Sequence, residues 1–272
     1  MEPSGRFVEK NRELFELCLS LRTAALEPPV GALTVTAQDE KKLRRELTWR
    51  RSLEAFGAKA DRTFCAIIEL CAKGYTEDAT ILMRSLLDLD VSLRYVELDP
   101  QPRIVEMMYE ADREYLKELE EMTKIRTLDI ELEKALNDTR ARLAQLEHDL
   151  QIDPKKWHKK TMREKTEGAG LEDQYFVFCR FSGLLHANPN KLMSYIRSQE
   201  TTNEVFAVDS RPHGANLRLV LASAASYFAD ILLLRRKANG LDTAAFVRAH
   251  ESLKEHYLRT KKNREKQTRK HK

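Results

Sequence analysis

Apolar residues recur at helical spacing along most of the chain, and breaks in that period divide it into segments. Residues 6–26 carry Phe7, Leu14, Leu19 and Leu21 and end near Glu27-Pro28-Pro29. A linker, VGALTVTAQ, reads as extended. Residues 39–73 predict one long helix, wet and basic in its first half (KKLRRELTWRR) and apolar in its second (TFCAIIELCA), with Gly74 as its stop. Thr76 can cap the next helix, which runs to about Glu97 with Glu77 and Asp78 in its first turn. Ile81, Leu82, Met83, Leu86, Leu87, Leu89, Val91 and Leu93 cover most sides of that helix, the mark of a central, buried element.

Asp99-Pro100-Gln101-Pro102 breaks the pattern. Residues 103–124 and 129–150 follow as two amphipathic stretches; Leu132, Leu136, Leu143, Leu146 and Leu150 line the second. They predict an antiparallel helical hairpin projecting from the body, its apolar seam satisfied either within the chain or in a dimeric coiled coil. Residues 153–170 (DPKKWHKKTMREKTEGAG) read as a mobile basic loop. A short helix, 175–189, is stopped by Asn188-Pro189. Residues 191–197 suggest a short helix or turn, and 205–208 a strand. Residues 215–239 form another apolar helix, closed by Gly240, and Asp242 caps a last helix over 243–258. The whole predicts an all-α helical bundle in one domain, 1–258, with a protruding antiparallel hairpin at about 103–150 and a basic, disordered tail, 259–272.

Composition agrees. Of 272 residues only 9 are Gly and 8 Pro, while 33% are charged, which suits amphipathic helices and excludes sandwiches and barrels. The tail alone carries +7 of a chain whose net charge is +4, so the body is mildly acidic at −3. The folded surface as a whole is therefore no polyanion-binding face. The tail either grips RNA or acidic partners through counterion release or serves as a solubilising end. Four scattered cysteines (Cys18, Cys65, Cys71, Cys179) read as buried, reduced thiols of a cytoplasmic protein. No apolar run approaches the roughly 20 residues that cross a bilayer, so no membrane partner is expected.

The chain has no phosphate-binding glycine loop, no H-E-x-x-H and no G-x-S-x-G, and its histidines are well separated. No metal and no cofactor are expected. What remains is polar residues inside apolar helices. Tyr175, Cys179, Ser182 and His186 fall at i, i+4, i+7 and i+11 and form one stripe, with Arg180 beside it. Arg84 and Asp88 are i, i+4 neighbours on the central helix and can pair. A charge on so apolar a helix is costly unless paired. The stripe is expected to face Arg84 and Asp88. Either the group is structural, with His186 satisfied by Ser182 or Asp88, or Arg84, Tyr175 and His186 bind a nucleotide or small anion. Trp157 among four lysines is either a loop anchor or a base-stacking contact.

GYTEDATILMRSLLDLDVSLRYVE, followed a hundred residues later by YFVFCRFSGLLHANP, resembles an uncharacterised bacterial helical family, domain of unknown function 5677. Gly74, Tyr75, Arg84, Ser85, Leu86, Leu87 and Asp88 carry the resemblance, with Tyr175, Ser182 and His186. Asp88 stands where glutamate is more usual. The match covers about 61–189 and implies no activity. In addition, Arg180-x5-His186 is similar to the R-x(4–6)-H motif of HEPN-fold proteins, many of them metal-independent endoribonucleases of toxin and antiviral defence systems. That likeness implies a HEPN-like bundle, RNA as partner, a homodimer, and Arg180 and His186 as catalytic residues. The histidine would take the 2′-hydroxyl proton and the arginine would stabilise the phosphorane. Arg84 and Asp88 would belong to the same catalytic group, with Tyr175, Ser182 and Trp157 binding or orienting the substrate. Six residues turn a helix by about 600°, which sets Arg180 about 120° from His186. The other class of reading is a non-enzymatic helical protein that binds a protein partner or senses a ligand, its Arg/Asp/His cluster structural.

Overall fold

The computed structural model describes residues 5–25, 40–125, 130–185, 196–198, 205–208, 214 and 216–270. Two helices form the N-terminal layer, α1 (Arg6–Glu9) and α2 (Arg12–Ala25), so the predicted first helix is split at Lys10-Asn11. Then come α3 (Glu40–Lys73), α4 (Thr76–Glu97), α5 (Pro100–Ile125), α6 (Ile130–Leu150), α7 (Met162–Gly168) and α8 (Glu172–Leu185). Strands β1 (Ile196–Ser198) and β2 (Val205–Val208) pair antiparallel, Ile196 opposite Val208, and α9 (Leu217–Ala238) and α10 (Ala244–Lys270) close the chain. The architecture is an all-α helical bundle with this small ribbon appended. The strand at 205–208 is where the pattern placed it. Ile196–Ser198 is a strand rather than a helix or turn, because its residues find β2 as a ladder partner. The linker VGALTVTAQ lies outside the described residues.

The core sits where α3, α4 and α9 meet. Phe64 of α3 stacks on Phe228 of α9 at 4.5 Å between ring centroids. Ala222, Ala224 and Ala225 let α9 approach its neighbours closely, and buried residues occupy most of its circumference. By length and composition α9 could cross a membrane, contrary to the expectation that no such segment exists; most of it is buried inside the bundle. The apolar stretch is interrupted by Ser223, Ser226 and Asp230, which hid it from a search for continuous runs.

α2 and α10 cover one side of this core. Arg236 at the end of α9 is only 1% exposed. Its guanidinium donates to the carbonyls of Ala24 (3.2 Å) and Asp242 (2.7 Å), so backbone oxygens replace the water it has lost. Asp242 Oδ1 accepts from the Ala244 N–H (2.9 Å), the capping role foreseen for it.

Gly74 stops α3 at φ +86°, where only glycine is unstrained, and a Cβ there would lie 2.4 Å from the Phe7 ring. The cap of α4 is Tyr75, one residue before the predicted Thr76, which is the first helical residue and is buried.

The hairpin is α5 and α6. Its near half leans on the core through Ile104 and Val105, while Leu119, Leu132 and Leu136 form a separate small cluster farther out. Leu132, Leu136 and Leu143 of the α6 seam are thus buried within the chain, where α6 packs on α5, and Leu146 packs on the main core. Part of the expected loop is α7, which Thr161 and Glu164 start as a reciprocal capping box. α10 runs on to Lys270 and takes in most of the segment read as a disordered tail; Lys, Arg, Glu and Gln are good helix formers and can extend a helix without a core to pack on.

Candidate functional site

Arg84 on α4 is the centre of the polar contacts between α4 and α8. Its Nη1 lies 3.2 Å from Asp88 Oδ2, the i, i+4 pair that the spacing predicts. Its Nε donates to Ser182 Oγ on α8 (3.1 Å), and the hydroxyl in turn donates to the Phe178 carbonyl (2.8 Å). The guanidinium lies 4.2 Å above the Phe178 ring, and the Tyr175 ring lies nearly parallel to that ring at 6.3 Å between centroids. Arg84, Asp88 and Ser182 are therefore brought together, with Tyr175 one ring removed.

The side of α8 that packs on the core is half-buried and is not centred on the predicted stripe. Phe178 and Phe181 pack on the core, and Gln174 accepts from the buried Tyr227 hydroxyl (3.1 Å). That face lies about 80–100° round the helix from the Tyr175 stripe. Ser182 sits at the overlap and reaches α4; Cys179 is exposed, against the expectation of a buried thiol. The aromatic residues decide the rotation, because they bury more apolar area than a tyrosine and two small polar residues. Arg180 is exposed and points away from the Arg84 group, as does Phe176, 72% exposed. His186 lies outside the described residues.

Trp157 lies elsewhere. It packs edge-on against Tyr109 of α5 (5.2 Å) and pins residues 151–161 to the hairpin, the anchoring role. His158 and Lys159 are tied to Glu164 and to Glu110 and Glu114.

On the side of α4 away from Ser182, four helices leave a cleft of about 580 Å³. Phe56 of α3, Leu89 and Leu93 of α4, and Met107 and Met108 of α5 form its apolar wall. Asp88, Lys59, Glu110, Glu114 and Lys165 of α7 supply charge. Asp88 joins the two sides of α4. Oδ2 faces Arg84, whereas Oδ1 is fully buried and has no hydrogen-bond partner among the described residues. Burial pushes the Asp88 carboxyl above its ordinary value, and Arg84 and Lys165 partly offset this. Sequence reading missed the cleft and Lys165. Thr161-Met162-Arg163-Glu164 fits the S/T-x-x-E capping signal, which would have placed Lys165 on a helix.

A second buried group joins α4 to α9. Arg94 binds Asp90 (2.9 Å) and Asp230 together. Asp90 is 2% exposed, and burial pushes its carboxyl up to about 7 despite Arg94. His250 on α10 is buried, its Nε2 without a partner among the described residues, and desolvation lowers its pKa.

A family model described as a family of unknown function (DUF5677) matches residues 55–204. The chain belongs to this family. The DUF5677 segment contains the resemblance read over 61–189 and extends beyond it at both ends. It holds every residue named here in the cleft wall, together with Arg84, Asp88 and Ser182. No curated protein and no solved structure matches the chain. Among the described residues no group of three His, Cys, Asp or Glu is placed to hold a metal ion.

Proposed function

We propose that this DUF5677 protein is a ligand-binding helical protein whose site is the cleft between α3, α4, α5 and α7. One observation carries the reading: four helices leave a largely apolar cleft of about 580 Å³, walled by Phe56, Leu89, Leu93, Met107 and Met108 and edged by Lys59, Asp88 and Lys165. Small-molecule sites have this size and this mixture, an apolar lining with a few convergent polar groups. Arg84 and Ser182 then hold Asp88 and α8 in place and do not meet the ligand. The test uses N-phenyl-1-naphthylamine, a dye that brightens in apolar surroundings. Wild-type protein binds it stoichiometrically, and Ala111→Trp, which fills the cleft from its exposed wall, removes binding without lowering the melting temperature. Undiminished binding to Ala111→Trp sinks the reading. The four cysteines are unpaired, which suits a reducing compartment, and we assign the protein to the cytoplasm on that ground.

A second reading keeps the HEPN-like endoribonuclease, acting on RNA as a homodimer in a defence or toxin system. Its support is the exposed outer face of α8. Phe176 and Arg180 stand there at i, i+4, an aromatic ring beside a cation, the combination that holds single-stranded nucleic acid. In this version Arg180 and His186 are catalytic, while Arg84, Asp88 and Ser182 support α8 from behind. Labelled RNA incubated in EDTA with wild type, Arg180→Ala and His186→Ala decides it. Intact RNA with all three proteins rules the nuclease out; cleavage lost in both variants supports it.

A further inference from the structure

We infer that the hairpin docks on a second copy of this chain: α5 pairs antiparallel with α5 of the copy, and the far end of each hairpin lies at the mouth of the other's cleft. The inference goes beyond the ligand-site reading and does not rest on it.

α5 has two apolar faces and uses one of them within the chain. Val105, Tyr109, Leu116 and Leu119 pack on the core, on Trp157 and on α6. About 100° round the helix, Met108, Tyr115 and Met122 follow at i, i+7 and i+14, with Ile125 three residues further on. That is the spacing of a coiled-coil seam, and all four side chains are exposed. Ile125 is 84% exposed, and Ile130, which opens α6 at the same end of the hairpin, is 85% exposed. Of the nine large hydrophobic side chains exposed among the described residues, five therefore lie on the hairpin. Scattered single ones are ordinary on a surface; a patch of them marks a contact.

The two ends of this seam point to a second copy as the occupant. At its base the seam runs into the apolar wall of the cleft, which Met107 and Met108 share with Phe56, Leu89 and Leu93. Its other end, about 26 Å away, carries the bare isoleucines. A helix pair of that length buries less than the roughly 800 Å² per partner of a standard interface, so the ends must engage as well. An antiparallel copy lays its isoleucines on the cleft wall and offers its own cleft wall in return. Both halves of the match lie on one chain, so a two-fold axis closes the assembly at two copies. Glu118 fixes the direction. It occupies the seam position between Tyr115 and Met122 and is exposed. A parallel pair would set it against Glu118 of the copy, like charge on like. In the antiparallel pair it faces Tyr115 of the copy, whose hydroxyl can donate to it, while Met108 meets Ile125.

Sedimentation velocity of the full chain at micromolar concentration is expected to give twice the chain mass of 31.6 kDa. Met122→Glu/Ile125→Glu changes two exposed side chains and leaves the in-chain face of α5 alone. It should raise the dimer dissociation constant at least tenfold and keep the helical circular dichroism of wild type. Cross-linking reads the direction. On a Cys179→Ser background, which removes the exposed native thiol, a short bis-maleimide should link Met108→Cys/Ile125→Cys into dimers and link neither single variant. Within one chain those two positions are too far apart to be bridged. A wild-type chain that stays monomeric overturns the pairing and leaves the seam to a different protein. A dimer that Met122→Glu/Ile125→Glu does not weaken overturns this interface. Dimers linked in the Met108→Cys or Ile125→Cys single variants overturn the antiparallel direction.

Discussion

Arg84→Ala removes three contacts between α4 and α8 at once, and their sizes can be added. The Arg84–Asp88 pair has side chains 15% and 36% exposed, so solvent screens it and it contributes about 1 kcal/mol or less. The hydrogen bond from the charged guanidinium to Ser182 contributes about 1.5 kcal/mol. The cation over the Phe178 ring adds about 0.5–1 kcal/mol. The total is roughly 3 kcal/mol. At an unfolding entropy of about 2.1 cal/mol/K per residue, a chain of 272 residues loses about 5 °C in melting temperature. Asp88→Asn should cost less than Arg84→Ala, because it also removes a partly desolvated charge. Thermal melts followed by circular dichroism at pH 7 give both numbers. In a double-mutant cycle, Arg84→Ala with Ser182→Ala should couple by about 1 kcal/mol. A loss under about 2 °C for Arg84→Ala would show that α8 is held by its aromatic residues alone. Asp88→Asn costing more than Arg84→Ala would refute the ordering of the three terms.

Three further outcomes are expected. Asp90 titrates near 7 in the fold against an ordinary 3.8, so the folded protein holds its proton more tightly; the contribution is complete below about pH 4 and is lost as pH rises through 7. The melting temperature of Asp90→Asn minus that of wild type should therefore rise between pH 4.5 and 8, and a constant difference would contradict the shift. Gly74→Ala should destabilise more than Gly170→Ala. Both have positive φ, costing about 1–2 kcal/mol, but only the Cβ at 74 strikes Phe7; urea titrations giving equal losses would remove that clash from the account. With Ellman's reagent, Cys179 should react first and Cys18 and Cys71 only on unfolding, since burial raises both of their pKa values, that of Cys71 to about 12. A fast phase that survives Cys179→Ser would contradict the exposed placement.

The long helices were legible because period, proline and glycine all agree over many residues. Gly74, Asp99 and Gly240 mark ends that the structure keeps, although Pro100, Gln101 and Pro102, read as part of the break, form the first turn of α5. The Arg84–Asp88 pair was legible too, since i, i+4 spacing fixes it locally. The rotation of α8 was not. A stripe of polar residues and a stripe of aromatics compete for the same helix, and which one turns inward depends on what α4 presents. Ser182 met Arg84 because it lies on the border of both. The cleft was out of reach for a related reason: its walls come from four helices, and none of them carries a local signature of the space between them.

The Phe64–Phe228 stack has a consequence for what counts as one folding unit. Phe64 lies inside the DUF5677 segment and Phe228 beyond its end, as does all of α9. A fragment cut at residues 55 and 204 would lay bare the faces of α3 and α4 that α9 now covers, and would aggregate rather than fold. The stretch of sequence by which relatives are recognised is therefore smaller than the stretch that must travel together. Any chimera exchanging this segment between proteins needs a host helix able to take the place of α9.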